Sequence, residues 1–175
     1  MSIRLAGLEL AHPIVNGSGT YDAIAARRAF GDALLANFPF SAYVSKTITL
    51  KPRVGNPPPR LYETPAGLIN SIGLPNKGLD GYLAQDLPEL AQLPVPLVTN
   101  VMGSTADELA ALVEAVRALC HDRRVPSRLA LESGMACGFG ACFGCVVPIK
   151  PSGYLRLCVD GPVLDGELLA EVPAH

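Results

Sequence analysis

Three of the five cysteines of this 175-residue chain fall in one short stretch, Cys137-Gly138-Phe139-Gly140-Ala141-Cys142-Phe143-Gly144-Cys145, and a fourth, Cys158, follows after a further twelve residues. Thiols packed this closely must be joined to one another, bound to a metal or kept reduced, and each outcome dictates a different loop. The spacing C-x4-C-x2-C with a remote fourth Cys is one that holds four thiolates around a [2Fe–2S] cluster, whereas structural zinc sites usually pair two C-x2-C knuckles. Gly138, Gly140 and Gly144 suit that chemistry, because glycine takes left-handed turns and lets backbone N–H groups approach sulfur. A disulfide pair would need no such glycines. The spacing therefore points to Cys137, Cys142, Cys145 and Cys158 as cluster ligands, with zinc, and disulfides or free thiols, as the alternatives.

Hydrophobic residues make up 49% of the chain and charged residues 17%, the balance of a globular protein of one domain or two small ones. The net charge of −2 and the lack of basic runs beyond Arg27-Arg28 and Arg123-Arg124 argue against nucleic acid and acidic lipid as partners. Met1-Ser2-Ile3-Arg4-Leu5 opens no long apolar stretch, and no later apolar run reaches the length of a membrane span. A cytoplasmic location without a membrane is expected, where thiols stay reduced and available to iron.

Along the chain, Ile3 to Leu10 reads as two short strands broken at Gly7, and Pro13 to Asn16 as a third closed by Gly17-Ser18-Gly19. Asp22 is placed to cap a helix carrying Ile24, Phe30, Leu34 and Leu35 near one face. Ala42 to Ser45 is the next strand, and Lys46 to Thr49 leads from its end into a proline-rich excursion, Pro52 to Pro59, that cannot be helical. A loop from Leu68 to Asn76 precedes a helix through Leu79, Tyr82 and Leu83. Pro96 to Val101 reads as a buried strand, and Thr105 with Glu108 as a capping box for a helix with apolar Leu109, Leu112, Val113, Val116 and Leu119. Periodicity alone supports an α/β fold with polar residues at the carboxyl ends of strands.

Leu131-Glu132-Ser133-Gly134-Met135-Ala136 before the first loop cysteine, and Tyr154-Leu155-Arg156-Leu157-Cys158-Val159-Asp160-Gly161-Pro162-Val163 around the last, resemble the C-terminal iron–sulfur segment of the electron-transfer subunit of NAD-dependent dihydroorotate dehydrogenase. Four earlier motifs resemble the catalytic subunit of the same enzyme, in the same order: Asn16 to Tyr21, Lys46 to Pro57, Glu63 to Leu74, and Thr99-Asn100-Val101. The resemblance implies a partial (β/α)8 barrel over residues 1–118 followed by a small Cys-rich iron–sulfur domain over 119–175. It also implies a redox protein of pyrimidine (UMP) biosynthesis, relaying electrons from dihydroorotate through FMN to a [2Fe–2S] cluster and onward to FAD and NAD, with the FAD on a partner chain.

On the same grounds Lys46 is expected to touch both FMN and dihydroorotate, since a fixed ammonium stabilises charge developing on the reduced flavin and holds a carboxylate. Otherwise it is a solvated lysine. The resemblance assigns Asn70, Ser71, Ile72, Gly73 and Leu74 to the pyrimidine ring. Asn70 offers the donor and acceptor an imide edge needs, or else simply forms a turn. Ser18, Thr47 and Asn100 are assigned to FMN, the alternative being strand-end capping. The family's catalytic base, a cysteine preceded by an Asn-x-Ser motif, and its glycine-rich phosphate loops find no match in these 175 residues, nor do the FAD and NAD domains. Cys120 lies at the end of a helical pattern and is read as a buried or linker thiol, so no catalytic residue is assigned. The likeness passes from one subunit to the other between Ala111 and Pro126.

Two further readings follow from that mosaic: a non-catalytic [2Fe–2S] electron-transfer or docking module, and an inactive truncated or recombined product. An incomplete barrel leaves open sheet edges. Self-association, or docking on dihydroorotate dehydrogenase subunits, is expected through a face with Val15, Val44 and Val98.

Overall fold

Gly7, at φ 79°, turns the chain between β1 (Ile3–Leu5) and β2 (Leu8–Leu10), which pair antiparallel with Ile3 opposite Leu10. This hairpin is the one expected from the sequence. The computed structural model describes residues 2–5, 7–130, 136–161 and 163–169. Leu131 to Met135 and Pro162, part of the iron–sulfur resemblance, lie outside the described residues.

Pro13 to Asn16, expected as a third strand, forms none. Asn16 instead performs a strand's work with its side chain. Its Nδ2 donates to the Val44 carbonyl at 2.8 Å while its Oδ1 accepts from the Val44 N–H at 2.8 Å, so the carboxamide closes the backbone pairing of β3 (Tyr43–Val44). On its other side β3 runs parallel to β6 (Leu97–Val98), with Tyr43 opposite Leu97, and the pairing continues into a bridge between Ile48 and Val101.

The expected helix after Asp22 divides in two. Asp22 Oδ1 accepts from the Ala25 N–H at 2.9 Å and starts α1 (Ala23–Phe30), as its position implied. Gly31, at φ 59° and ψ −147°, ends α1 and reorients the chain into α2 (Asp32–Ala36). The break leaves Phe30 67% exposed, whereas Leu34 is buried.

A hairpin absent from the sequence reading joins β4 (Leu61–Thr64) to β5 (Gly67–Asn70), with Tyr62 opposite Ile69. The crossover to β6 then runs through α3 (Gly78–Gly81), a π-helical turn over Tyr82–Asp86, and α4 (Leu87–Leu90). Ala23, Tyr43, Ile48, Tyr82, Leu90 and Leu93 form the core of this part, with Tyr21 and Phe38 packed against it.

The chain resolves into two compact units, Met1–Leu112 and Val113–His175. The helix α5 (Ala106–Asp122) begins in the first and ends in the second. At its start Thr105 Oγ1 accepts from the Glu108 N–H at 3.2 Å, and Glu108 Oε2 accepts from the N–H of Ser104 at 2.8 Å. That is the expected capping box with its return bond displaced by one residue. The second unit contains two antiparallel pairs: β7 (Arg128–Ala130) with β10 (Val163–Asp165), and β8 (Val146–Pro148) with β9 (Tyr154–Arg156). Its core is Cys145, Leu157, Leu164 and Leu169.

Among the described residues every sheet is two-stranded, and β3 with β6 is the parallel pair. Of the face expected to seek partners, Val15 is 40% and Val98 39% exposed, so the strand containing Val98 is not the buried one anticipated. No helix among the described residues is long and apolar enough to cross a membrane.

Asn16→Ala tests the side-chain ladder, because it strands a donor and an acceptor on Val44. The expected loss of unfolding free energy is about 2 kcal/mol, as for buried polar groups left unpaired. Urea denaturation measures it; a midpoint and slope equal to those of the wild type would mean that solvent already satisfies Val44.

Candidate functional site

A cavity of about 550 Å³ opens in the first unit, where the chain leaves the carboxyl end of β3. Lys46 and Thr47 line it with Gly19, Arg53, Asn76 and Tyr82. Gly19 has φ 73°, and a Cβ there would stand 2.8 Å from both Cδ and Nζ of Lys46. The lysine therefore lies against a residue whose left-handed backbone favours glycine, with its ammonium at the cavity wall. Ser18 Oγ donates to the Ser45 carbonyl at 2.8 Å and shares a hydrogen bond with Thr47 Oγ1 at 3.2 Å. The Asn100 N–H donates to Ser45 Oγ at 3.1 Å. Ser18, Lys46 and Thr47, assigned to the flavin from sequence, are thus gathered at one strand end, and the backbone of Asn100 joins them through Ser45.

The pyrimidine segment is placed differently. Asn70 and Ser71 are exposed where β5 ends, and Asn70 to Leu74 are not among the residues lining the cavity beside Lys46. The segment is braced from the proline-rich excursion. Asn56 Nδ2 donates to Ser71 Oγ at 2.8 Å, and its N–H donates to the Ile72 carbonyl at 3.1 Å. A Cβ on Gly73, at φ 77°, would stand 2.5 Å from Asn56 N, so the two stretches could not lie this close with any other residue there.

Asn76 was missed in the sequence reading. Its Oδ1 accepts from the N–H groups of Thr49 and Gly78 at 3.2 and 2.9 Å, and its Nδ2 donates to the Leu74 carbonyl at 2.9 Å. It ties Leu74, the end of the segment assigned to the pyrimidine, to Thr49 in the stretch that follows β3 and carries Lys46. The Asn76-Lys77-Gly78 order, an asparagine bonding the backbone two residues on, was the available signal. Ion pairs of Lys77 with Asp86 and of Arg28 with Glu89 engage two of the cavity's cations. Burial pushes the phenols of Tyr43 and Tyr82 up, and Tyr82 is further engaged with Thr99 Oγ1 at 2.9 Å, so both stay neutral and neither is a ready base. The cavity offers positive charge and hydroxyls, and of the carboxylates lining it Asp22 caps α1 while Asp86 is paired with Lys77.

In the second unit the cysteine loop directs its backbone inward. The N–H groups of Ala141 and Cys142 point at Cys137 Sγ at 3.3 and 3.4 Å, and that of Gly144 at Cys142 Sγ at 3.4 Å. Gly138 and Gly140, at φ 72° and 85°, make that turn possible, and Phe143 shares it at φ 57°. The Cys142 N–H, followed by that of Phe139, holds the Cys137 thiol down to about 6. The Cys158 N–H lowers Cys145, whereas Cys158, hydrogen-bonded to the Cys145 side chain, is raised and keeps the proton the pair shares.

The thiols thus stand as two pairs, Cys137 with Cys142 and Cys145 with Cys158. No group of three or more His, Cys, Asp or Glu among the described residues is gathered to hold a single metal ion. Four-coordinate zinc needs such a group. A [2Fe–2S] cluster takes two protein ligands on each iron, so a two-plus-two arrangement of thiols fits it in donor chemistry and grouping. Cys120 stands apart; burial pushes its thiol up, away from a nucleophile's range.

A family profile described as dihydroorotate dehydrogenase matches residues 1–123, and one described as the iron–sulfur cluster binding domain of dihydroorotate dehydrogenase B matches residues 132–170. The catalytic subunit of dihydroorotate dehydrogenase B (NAD(+)) from Pelobacter propionicus is 38% identical over 137 residues, covering 78% of this chain and 42% of that protein. Its counterpart from Desulforudis audaxviator is 39% identical over 139 residues, covering 78% and 41%. The chain thus spans about two fifths of the length of these relatives. A crystal structure of DHODH from Eimeria tenella in complex with ferulenol is 22% identical at a TM-score of 0.40, covering 68% of this chain and 32% of that one, too loose a likeness to bear on the fold. With residues 1–123 matched, well over half of its length, the chain belongs to the dihydroorotate dehydrogenase family.

Proposed function

We propose that the chain is a redox protein of pyrimidine biosynthesis in which a flavin site at the Lys46 cavity and a [2Fe–2S] site at Cys137, Cys142, Cys145 and Cys158 are carried on one polypeptide. The observation that carries this reading is the pairing of the four thiols with backbone N–H groups turned toward them. Residues 1–118 would form part of a (β/α)8 barrel and residues 119–175 the iron–sulfur domain. Dihydroorotate is the proposed electron donor, and FAD and NAD on a partner chain the proposed acceptors. Partners would be dihydroorotate dehydrogenase subunits or a second copy of this chain.

Bound FMN would take two electrons from the substrate and release them singly, which is the chemistry the protein cannot supply itself. Lys46, seated against Gly19, would place its ammonium where negative charge collects on the reduced ring or on a substrate carboxylate. The hydroxyls of Ser18 and Thr47, already linked, would orient polar ring edges. At the second site the thiols of Cys137 and Cys145 are both lowered, which favours their thiolate forms, and the inward N–H groups would offset the charge that iron–thiolate sites accumulate. A narrower reading, electron transfer or docking by the iron–sulfur segment alone, is favoured by Asn70 to Leu74 lying outside the lining of the Lys46 cavity.

Anaerobically prepared protein is expected to hold about two irons and two labile sulfides per chain, the content of a [2Fe–2S] site. Cys142→Ser should abolish it and Cys120→Ser should not. Zinc in place of iron after iron-replete, anaerobic preparation would sink the cluster reading.

In metal-free protein the alkylation rate of Cys137 should inflect near pH 6, where its thiol is held, instead of near its ordinary 9.0. The sign follows for stability as well. A depressed folded-state value favours the fold above pH 9, and this contribution is lost as pH falls through 6. An alkylation profile rising only near pH 9 would show that the loop donors do not reach the sulfur in solution.

Dihydroorotate oxidation by these 175 residues with FMN added should be negligible, because a missing general base typically costs about 10²–10⁴-fold. Turnover in the ordinary enzyme range of roughly 1–10³ per second would reveal a base in this chain.

A further inference from the structure

Gly140 is the point where the two halves of the thiol centre meet. Gly140 belongs to the loop that carries the other three cysteines, yet it lies against residues on either side of Cys158. Its carbonyl accepts from Arg156 Nη1 at 3.5 Å. A Cβ on Gly140 would stand 2.9 Å from Val159 Cγ2 and 3.1 Å from Arg156 Nη1, so the loop lies directly on the turn containing Cys158. Arg156 is itself fixed. Asp160 Oδ2 accepts from both its backbone N–H at 2.9 Å and its Nε at 3.2 Å, and the Asp160 N–H returns a bond to the Arg156 carbonyl at 2.7 Å. One guanidinium therefore joins a carboxylate on one side to the cluster loop on the other, two residues before a ligand.

We propose that Arg156 is a positioning residue that holds the Gly140 loop against the turn carrying Cys158 and, balanced by Asp160, sets the reduction potential of the iron–sulfur site. This rests on the cluster reading above. An added electron makes the site more negative, so a nearby cation and an N–H aimed at sulfur both favour the reduced form, and a nearby carboxylate opposes it. Because Arg156 and Asp160 are bonded to each other, removing either exposes the charge of the other. The two removals must therefore act with opposite sign. A role limited to holding the loop in shape would not produce that pattern, since removing either residue loosens the same contact between Arg156 and the Gly140 carbonyl.

The test is a one-electron redox titration of the whole chain, followed by electron paramagnetic resonance, with iron and sulfide analysed in each sample. Arg156→Gln is expected to shift the reduction equilibrium about tenfold toward the oxidised form, about 59 mV lower. Asp160→Asn keeps the acceptor oxygen, removes the charge and is expected to shift it about as far the other way. Wild-type protein without iron and sulfide would overturn the cluster reading and this proposal together. A loaded wild type whose two variants move in the same direction, or do not move, would overturn the proposal alone. Should Arg156→Gln fail to hold iron, Asp160→Asn decides: a raised potential supports the proposal, and an unmoved or lowered one overturns it. Loss of the cluster in both variants would also overturn it, because the pair would then be holding the loop together without tuning it.

Discussion

Backbone N–H groups turned toward sulfur are the constraint on which the second unit is built. A loop that spends its donors on Cys137 and Cys142 cannot spend them on a helix or a sheet, so Cys137 to Cys145 has no regular secondary structure and must be held from outside. The neighbouring pair β8–β9 supplies the frame. The Leu157 N–H, just beyond β9, donates to the Cys145 carbonyl just before β8, which brings the third and fourth cysteines together. Leu157, 1% exposed, and Cys145, 3% exposed, then sit side by side in the core. The unit is small and Cys145 belongs to its core, so the binding energy of any metal held there would also be folding energy.

The first unit meets a different constraint. A two-residue parallel pair leaves each strand with an open edge, and β3 closes one of its own with the Asn16 carboxamide. This is why Ser18, Gly19 and Lys46 converge: Asn16 anchors its stretch to Val44, and the residues after each anchor emerge side by side. Ser45, 1% exposed, receives the Asn100 N–H on its hydroxyl and Ser18 on its carbonyl, so a single buried residue registers three stretches of chain. The polar residues at the strand end are thus held by backbone bonds before any ligand arrives, the preorganisation that electrostatic stabilisation requires.

Features that depend on near neighbours were legible in the sequence. The Gly7 turn, the Asp22 cap, the Thr105–Glu108 box and the cysteine spacing each act over a few residues, and each occurs where its pattern lies. What was not legible depends on distant partners. Nothing near Asn16 tells that its side chain will replace a strand, because the replaced partner is Val44, 28 residues on. The hairpin β4–β5 escaped because its turn, Pro65-Ala66, lacks the Asn-Gly or Asp-Gly chemistry that marks two-residue connections. Gly31 looked tolerable inside one amphipathic helix, and only its positive φ turns it into a break. Arg156 and Asp160 stand in the motif around Cys158, but nothing in the sequence tells of their shared bond or of the Gly140 carbonyl beside them.

The hairpin also links what covers the protein to what it binds. Leu61, Tyr62, Leu68 and Ile69 are all more than half exposed, and a lone two-stranded hairpin in water is marginally stable at best. It is held at its base and tip instead. Arg60 donates to the carbonyls of Asn56 and Val54 at 2.5 and 3.2 Å, its own carbonyl accepts from the Ser71 N–H at 2.8 Å, and Thr64 Oγ1 donates to the Gly67 carbonyl at 3.0 Å. Those bonds fix the backbone and leave the apolar side chains for a neighbour, as an enzyme family built from subunits would have it. Asn70 ends β5, so the pyrimidine segment Asn70 to Leu74 continues directly from the exposed strand. Asn56 and Asn76 brace that segment, and the Arg60 carbonyl holds Ser71. The exposed Leu68 and Ile69 are thus continuous in the backbone with Asn70 and Ser71, so a displacement of the strand is carried into the segment that follows it.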